Sequence, residues 1–338
     1  MARRSTTEHC FVVGIDKPAG MSSHDVVNRV RRIYGERRCG HMGTLDPAAT
    51  GALAVCVGPA TRLDALLTTH DKAYEFTIVF GSVTDTDDAE GTMVKSMPVP
   101  DWLFEDFISA SCHVEDLQGR HKQIPPSYSA IKVAGQKSYE AARSGKVLNL
   151  APRDIEIYKA QLIAIEGTPD RPIWRVRVEV SAGTYVRSIA RDLGYALQTC
   201  AHVGQLRRIQ TGLLHVANCV SLERLEAEPF SHQIDPVKLL GLRFLFADEN
   251  QAANVAVGKW LQARNLELYR YAKQAALEVD FDACTSGVLL SQDPLQDGES
   301  VSIIVDNQLK AVYEYDAAKK ILKSRCGFAR GVMRGGRI

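Results

Sequence analysis

The apolar positions of the first 245 residues follow two periods, one typical of strands and one typical of helices. Continuous or alternating apolar runs predict strands at Phe11–Ile15, Leu53–Val57, 72–81, 153–167, 174–183, 202–212 and 215–222. Helical spacing predicts helices at 24–34, 60–69, 101–118, 184–198 and 221–226. Strands outnumber helices and follow one another, which favours an α+β fold with a mostly antiparallel sheet over alternating βα units.

The chain changes character at about Phe246. A helical segment at 249–263 leads into three short strands, SGVLLS, SVSIIVD and LKAVYEYD, and then into a basic tail, KKILKSRCGFARGVMRGGRI. The change predicts a first domain at 8–245 and a second, small β-rich domain at 246–338.

The composition of the chain indicates its cellular compartment but says little about its function. Apolar residues make up 45% and charged residues 24% of the chain, as in ordinary soluble proteins. Eight scattered cysteines without a CxxC pair favour reduced thiols, which are typical of the cytosol. The N-terminal apolar run is too short for a signal peptide, and no segment is long enough to cross a bilayer. We therefore expect a cytoplasmic protein without a membrane segment.

One carboxylate stands in an unusually constrained setting, in the stretch GHMGTLDPAATGALAVCVG. Asp46 precedes Pro47, which holds it out of the helical region, and His41 and Gly43 lie just before it. An Asp-Pro pair is commonly only a turn that caps a neighbouring amide. The accompanying histidine and glycines make Asp46 a candidate for chemistry.

The sequence matches none of the metal-binding or cofactor-binding motifs that we compared with it. DTDDAEG, at 85–91, lacks the glycine and the closing acid of a calcium loop, and the chain has no HExxH, phosphate-loop or GxGxxG motif. We expect no metal and no cofactor. Side chains must then do the chemistry, and Tyr74 and Arg187 are candidates. The alternatives are a half-buried strand tyrosine with its hydroxyl in water, and a solvated helix arginine.

Basic residues gather in four places, although the net charge is only +1. The four clusters are the first helix with the residues after it, the segment 123–145, the pair Arg207-Arg208, and the C-terminus. In the segment 123–145, tyrosines lie among the basic residues. Any one cluster is typical of a solvated face. Four together indicate segregated charge and a nucleic-acid partner.

Five segments together resemble the TruB family of tRNA pseudouridine synthases, in the order and spacing of that family. They are DKPAGMSSHDVV (16–27), GHMGTLDPAATGALAVCVGPATRL (40–63), KAYEFTIVFGSVTDTDDAEG (72–91), QIPPSYSAIKVAGQKSYEAARSG (123–145), and SAGTYVRSIARDLG followed by AHVGQLRRIQTG (181–212). The resemblance implies a pseudouridine synthase catalytic domain, and it implies a PUA-like RNA-binding domain for the C-terminal third.

The resemblance also implies roles for single residues. Asp46 matches the catalytic aspartate, Tyr74 the tyrosine that stacks on the base, and Arg187 the arginine that pairs with the aspartate. The other matches contact or support the substrate. His41 fills the space left by the flipped base, and Tyr185 and Leu206 line the pocket. Lys17 supports the loop, and Lys132 lies in the segment that closes over the RNA.

The implied activity is cofactor-independent conversion of the uridine at position 55, in the T loop of tRNA, to pseudouridine by base flipping. The implied partner is the T stem-loop, bound by a monomer that requires no other protein. Two alternatives remain open. One is a guide-RNA-dependent rRNA pseudouridylase, and the other is a tRNA-binding folding chaperone in which catalysis is dispensable.

Overall fold

The computed structural model describes residues 8–129, 132–133, 136–137, 150–271 and 287–335. Its strands are β1 Phe11–Lys17, β2 Cys39–Met42, β3 Thr50–Val57, β4 Lys72–Phe80, β5 Ser82–Thr84, β6 Met93–Ser96, β7 Gly119–Gln123, β8 Lys132–Val133, β9 Gln136–Lys137, β10 Arg153–Thr168, β11 Arg171–Val180, β12 Ala201–Thr211, β13 Leu214–His215, β14 Gln233–Ile234, β15 Arg243–Phe246, β16 Leu261–Gln262, β17 Tyr269–Tyr271, β18 Val288–Leu290, β19 Ser300–Val305, β20 Gln308–Asp316 and β21 Ile321–Met333. Its α-helices are α1 Ser23–Tyr34, α2 Asp64–Leu67, α3 Trp102–Glu105, α4 Phe107–Glu115, α5 Val186–Ala196, α6 Leu222–Ala227, α7 Pro236–Leu240 and α8 Glu249–Ala256.

The residues form two compact units. The first consists of Met1–Pro47, Gly51–Thr68 and Gln210–Ile338, and the second of Ala48–Thr50 and Thr69–Ile209. Both are mixed α+β with mostly antiparallel sheets, which confirms the predicted class. The domain boundary at 245/246 stays a prediction.

In the first unit, β1 is the central strand, hydrogen-bonded to β14 on one side and to β3 on the other. Alternate residues of β1 point to opposite faces, and both faces are covered. Phe11, Val13 and Ile15 pack against the apolar face of α1, whereas Val12 belongs to a core shared with the C-terminal sheet. Burial on both faces explains why the strand reads as a continuous apolar run.

The C-terminal part of this unit is a seven-stranded sheet in the order β16-β21-β20-β19-β15-β17-β18. All its pairs are antiparallel except β15 with β19. The basic segment predicted as a tail is largely β21, and its alternate residues Leu322, Cys326 and Phe328 are buried. The prediction of a tail was wrong because the many basic residues between the apolar positions hide the strand pattern in the sequence.

Helix α1 begins and ends as the sequence predicts. The Ser22 side chain accepts from the Asp25 amide while Asp25 reaches back, and Gly35 ends the helix with φ of 61°. Three other expectations need correction. Residues 58–67 form a 3₁₀ turn followed by a single α turn, 101–118 split into two helices at the capping Asp106, and 216–218 form a 3₁₀ turn where a strand is predicted.

The second unit is built on the strand order β12-β4-β11-β10-β7. β10 and β11, both predicted as strands, form a hairpin that is paired from Ile157 with Val180 to Thr168 with Arg171. Trp174 on β11 is fully buried, and its indole N–H donates to the carbonyl of Leu103 at 2.7 Å. None of the helices in the described ranges is long and apolar enough to cross a membrane.

The core shared between β1 and the C-terminal sheet generates a stability prediction. Leu309→Ala removes a fully buried side chain from that core, and we expect unfolding to become easier by about 2–5 kcal/mol. Leu289→Ala, at an exposed strand position, is the matched control and should change stability by less than about 0.5 kcal/mol. Urea unfolding followed by circular dichroism measures both, and equal effects would contradict the shared core.

Candidate active site

The loop between β2 and β3 presents Asp46. Gly43 adopts φ of 81°, a conformation that favours glycine, and the chain then runs inward so that Leu45 is buried. Asp46 itself is half-buried and Pro47 is exposed. The loop is therefore anchored by an apolar side chain next to a carboxylate that remains accessible.

Lys17, at the end of β1, lies behind this loop with no exposed surface. Its ammonium group donates to the carbonyls of Pro18 at 2.8 Å, Met21 at 2.6 Å and Pro47 at 3.0 Å. An ammonium group has three N–H donors, so these bonds can use all of them. The Gly20 amide donates to the same Pro47 carbonyl at 2.9 Å. The residue after Asp46 is thus held by two donors.

Ser23 holds the residue before Asp46. Its hydroxyl donates to the Leu45 carbonyl at 3.0 Å and accepts from the Leu45 amide at 2.9 Å. The sequence predicts only a helix cap for Ser22 or Ser23, and Ser22 is the cap. Ser23 is a supporting residue that sequence reasoning missed, although it lies inside the DKPAGMSS motif.

In the second unit, Tyr74 lies on β4 opposite Val178 of β11 and is only 7% exposed. The alternative of a tyrosine standing half in water is therefore wrong. Lys72 begins the same strand, and its ammonium donates to the His70 carbonyl. Burial, together with the charge of Arg208, lowers the pKa of Lys72 to about 8, against a partial opposite effect of Asp71. Burial also lowers the pKa of His70.

Arg187 is in the first turn of α5 and is 6% exposed, so the alternative of a solvated helix arginine is wrong as well. Its guanidinium donates to the carbonyls of Thr86 at 2.9 Å and Tyr128 at 3.0 Å, and it lies 3.5 Å from a carboxylate oxygen of Asp88. Asp88 and two backbone segments that are remote in sequence therefore hold this group.

The acidic stretch that fails as a calcium loop forms much of this setting. Asp87 adopts a left-handed φ of 59°, and its carboxylate pairs with Arg191 at 2.9 Å, one turn after Arg187. Burial raises the pKa of the Asp87 carboxyl, while the charge of Arg191 opposes the rise. A Cβ at Gly91 would overlap the Thr86 hydroxyl, so the turn requires glycine. Sequence reasoning missed this role, although the acids lie within one of the five motifs.

The other predicted site residues lie as follows. His41 is half-buried on β2 opposite Val55, and Leu206 is half-buried on β12. The amide of Tyr185 donates to the Gln123 side chain at 2.9 Å, and its carbonyl accepts from that side chain at 3.1 Å. Lys132 begins β8, and its side chain lies outside the described residues, as does most of 123–145.

One of the basic clusters, the pair Arg207-Arg208, is less exposed than the sequence predicts. Arg208 is fully buried, so only Arg207 of that pair can meet a phosphate from solvent. On α1, Arg29 pairs with Glu226. Among the described residues, no three His, Cys, Asp or Glu side chains are grouped so that they could hold a metal ion.

Comparison with known proteins now decides the family. The model described as TruB family pseudouridylate synthase (N terminal domain) matches residues 31–186, and the one described as tRNA pseudouridylate synthase B C-terminal domain matches 187–240. tRNA pseudouridine synthase B of Mycobacterium sp. (strain KMS) is 44% identical over 230 residues, which cover 68% of this chain and 76% of that protein. The protein of the same name from Mycobacterium tuberculosis (strain ATCC 25618 / H37Rv) is 42% identical over 259 residues, which cover 76% and 85%.

The chain belongs to the TruB family of pseudouridine synthases. This confirms the resemblance on which the sequence interpretation depends, and with it the reading of the protein as an enzyme.

Solved structures extend the TruB likeness to the fold of nearly the whole chain. A chain of a Cbf5-Nop10-Gar1 complex matches with a TM-score of 0.65 at 21% identity, covering 94% of this chain and 84% of that chain. The archaeal box H/ACA sRNP Nop10-Cbf5 complex gives 0.62 at 22%, with the same coverage. The likeness confirms the predicted pseudouridine synthase fold, and the C-terminal sheet fits a PUA-like domain.

The support behind the Asp46 loop of this TruB-family chain generates a second prediction. Lys17→Met removes the ammonium donor from the carbonyls of Pro18, Met21 and Pro47, of which Pro47 keeps the Gly20 amide, and we expect a loss of about 3 kcal/mol or more of stability. The loosened loop should also lower turnover by about 100-fold, because small misplacements of a catalytic group are costly. Thermal unfolding and single-turnover rates measure the two effects.

The control is Lys319→Met, at an exposed turn position, which should change neither quantity. Wild-type turnover by the folded fraction of Lys17→Met would contradict the supporting role of Lys17.

Proposed function

We propose that this protein converts the uridine at position 55, in the T loop of tRNA, to pseudouridine, with Asp46 as the catalytic carboxylate. Its TruB membership and its 42–44% identity to proteins named tRNA pseudouridine synthase B make it a tRNA uridine isomerase. The position in tRNA and the residue roles are the proposal.

The observation that carries the proposal is the fixation of Asp46. Ser23 binds both backbone polar groups of Leu45, and Lys17 and Gly20 bind the carbonyl of Pro47. Asp46 lies between these two anchored residues, so its backbone position is fixed on both sides. This arrangement suits a reaction that needs one carboxylate in a defined place. Preorganised groups of this kind lower a barrier without reorganisation during the reaction.

The reaction requires few participants. The N1–C1′ bond breaks, the uracil turns, a C5–C1′ bond forms, the C5 hydrogen leaves as a proton, and N1 gains a proton. The product is an isomer, so atoms and electrons balance without an oxidant or a cofactor. In this proposal Asp46 supplies the carboxylate as nucleophile or base, Tyr74 stacks on the flipped uracil, and Arg187 stabilises the carboxylate charge.

The remaining site residues support the substrate in the same proposal. His41 takes the space of the flipped base, Tyr185 and Leu206 line its pocket, Lys17 supports the loop, and Lys132 meets the RNA backbone. We further propose that the protein acts as a monomer in the cytoplasm without a protein partner. Light scattering of the purified protein with and without tRNA tests the monomer, and a dimer in both samples would contradict it.

The catalytic assignment is tested by tritium release from a tRNA transcript labelled at uridine C5. Wild-type protein should release tritium without guide RNA or metal, and Asp46→Asn should release none while its tRNA affinity stays within about threefold, because the amide lacks the charge but keeps the shape. Asp101→Asn, at an exposed position without a capping bond, is the matched control and should behave as wild type.

Other outcomes of this assay have defined meanings. Release that needs a guide RNA would favour the guide-dependent pseudouridylase. Binding without release from any tRNA would favour the folding chaperone. An active Asp46→Asn variant would remove Asp46 from the catalytic role.

A further inference from the structure

A buried hydroxyl next to the Arg187 site has no evident structural task. Ser129 is 4% exposed, and its Oγ has no hydrogen-bond partner among the residues that the structure describes. Buried hydroxyls are nearly always paired, because an unpaired one forfeits its bonds to water without compensation. A buried serine in this state indicates a partner that binds later.

The backbone that carries Ser129 is firmly held. Gln123 bonds to Tyr185, and the Ile124 carbonyl accepts from Ser188 and Arg191, each at 2.9 Å. These contacts tie the segment after β7 to the first turns of α5. The chain that leads to Ser129 is therefore fixed against α5.

The position of Ser129 relates it to the reaction. The carbonyl of Tyr128, the preceding residue, accepts from the Arg187 guanidinium at 3.0 Å. The unpaired hydroxyl thus belongs to the residue directly after a contact of the proposed catalytic arginine. A flipped uridine enters a site shielded from water, where each of its polar atoms needs a partner from the protein.

We propose that the Ser129 hydroxyl hydrogen-bonds to a polar atom of the target uridine nucleotide when tRNA binds. This deepens the proposed function and rests on it. The free protein carries the cost of an unpaired hydroxyl, and the bound nucleotide removes that cost.

The test uses the opposite signs of two effects of Ser129→Ala. Stability of the free protein should be unchanged or higher, since an unpaired buried hydroxyl is replaced by a methyl group. The kcat/KM for an unmodified tRNA transcript should fall by about 5- to 100-fold, since a polar atom of the nucleotide then stays unpaired. A merely structural serine cannot give a fall in turnover together with an undiminished melting temperature.

Two serines serve as controls. Ser302 is fully buried in the C-terminal sheet, and its hydroxyl also lacks a partner among the described residues, so Ser302→Ala should match the stability effect and leave turnover unchanged. Ser188 is fully buried and donates to Ile124, so Ser188→Ala calibrates the drop in melting temperature when a real bond is lost.

Unchanged kcat/KM in Ser129→Ala overturns the inference. A drop in melting temperature as large as that of Ser188→Ala also overturns it, because the hydroxyl would then be paired within the free protein. Absence of turnover in the wild type is a separate result, which contradicts the proposed function and this inference with it.

Discussion

The loop that presents Asp46 depends on one buried ammonium group. Lys17 is the last residue of β1, and a charged group without exposed surface is tolerated only when hydrogen bonds replace its water. The carbonyls around it provide that replacement, and one of them belongs to Pro47. The same bond that makes the burial of Lys17 tolerable therefore fixes the residue after Asp46. Pairing of Lys17 with Gly51 on β3 carries the constraint to the strand that follows the loop.

The position of Lys17 in turn depends on β1, and β1 depends on both of its faces. One face packs on α1, and the other belongs to the core that contains Phe244, Leu309 and Val332 from the C-terminal sheet. The amide of Met333 also donates to the carbonyl of Cys10, just before β1. In the first unit, the sheet that fits a PUA-like domain thus contributes directly to the packing of the strand that supports the Asp46 loop.

In the second unit, carboxylates and backbone carbonyls hold two arginine side chains in place. Arg187 and Arg191 lie one helical turn apart and pair with Asp88 and Asp87 of one tight loop. Backbone carbonyls from that loop and from the segment after β7 accept further hydrogen bonds from the two guanidinium groups. Because a guanidinium is planar and always charged, this arrangement specifies its orientation as well as its place. The same contacts hold the carbonyls of Ile124 and Tyr128, and the hydroxyl of the next residue, Ser129, has no partner in the part of the chain that the structure describes.

Local pattern determined much of this protein, namely the strands and helices with strong periodicity, the N-terminal cap of α1 and the two strands of the β10–β11 hairpin. Five motifs in order indicated the family by resemblance. Local pattern did not reveal that Arg208 and Arg187 are buried, that the basic tail is a strand, or that Ser23, Gln123, Asp87 and Asp88 support the site. Periodicity and capping act between neighbours in sequence, so the sequence records them directly. Burial of a charge, and the partner that makes it tolerable, depend on residues up to a hundred positions away, and only the tertiary structure brings those together.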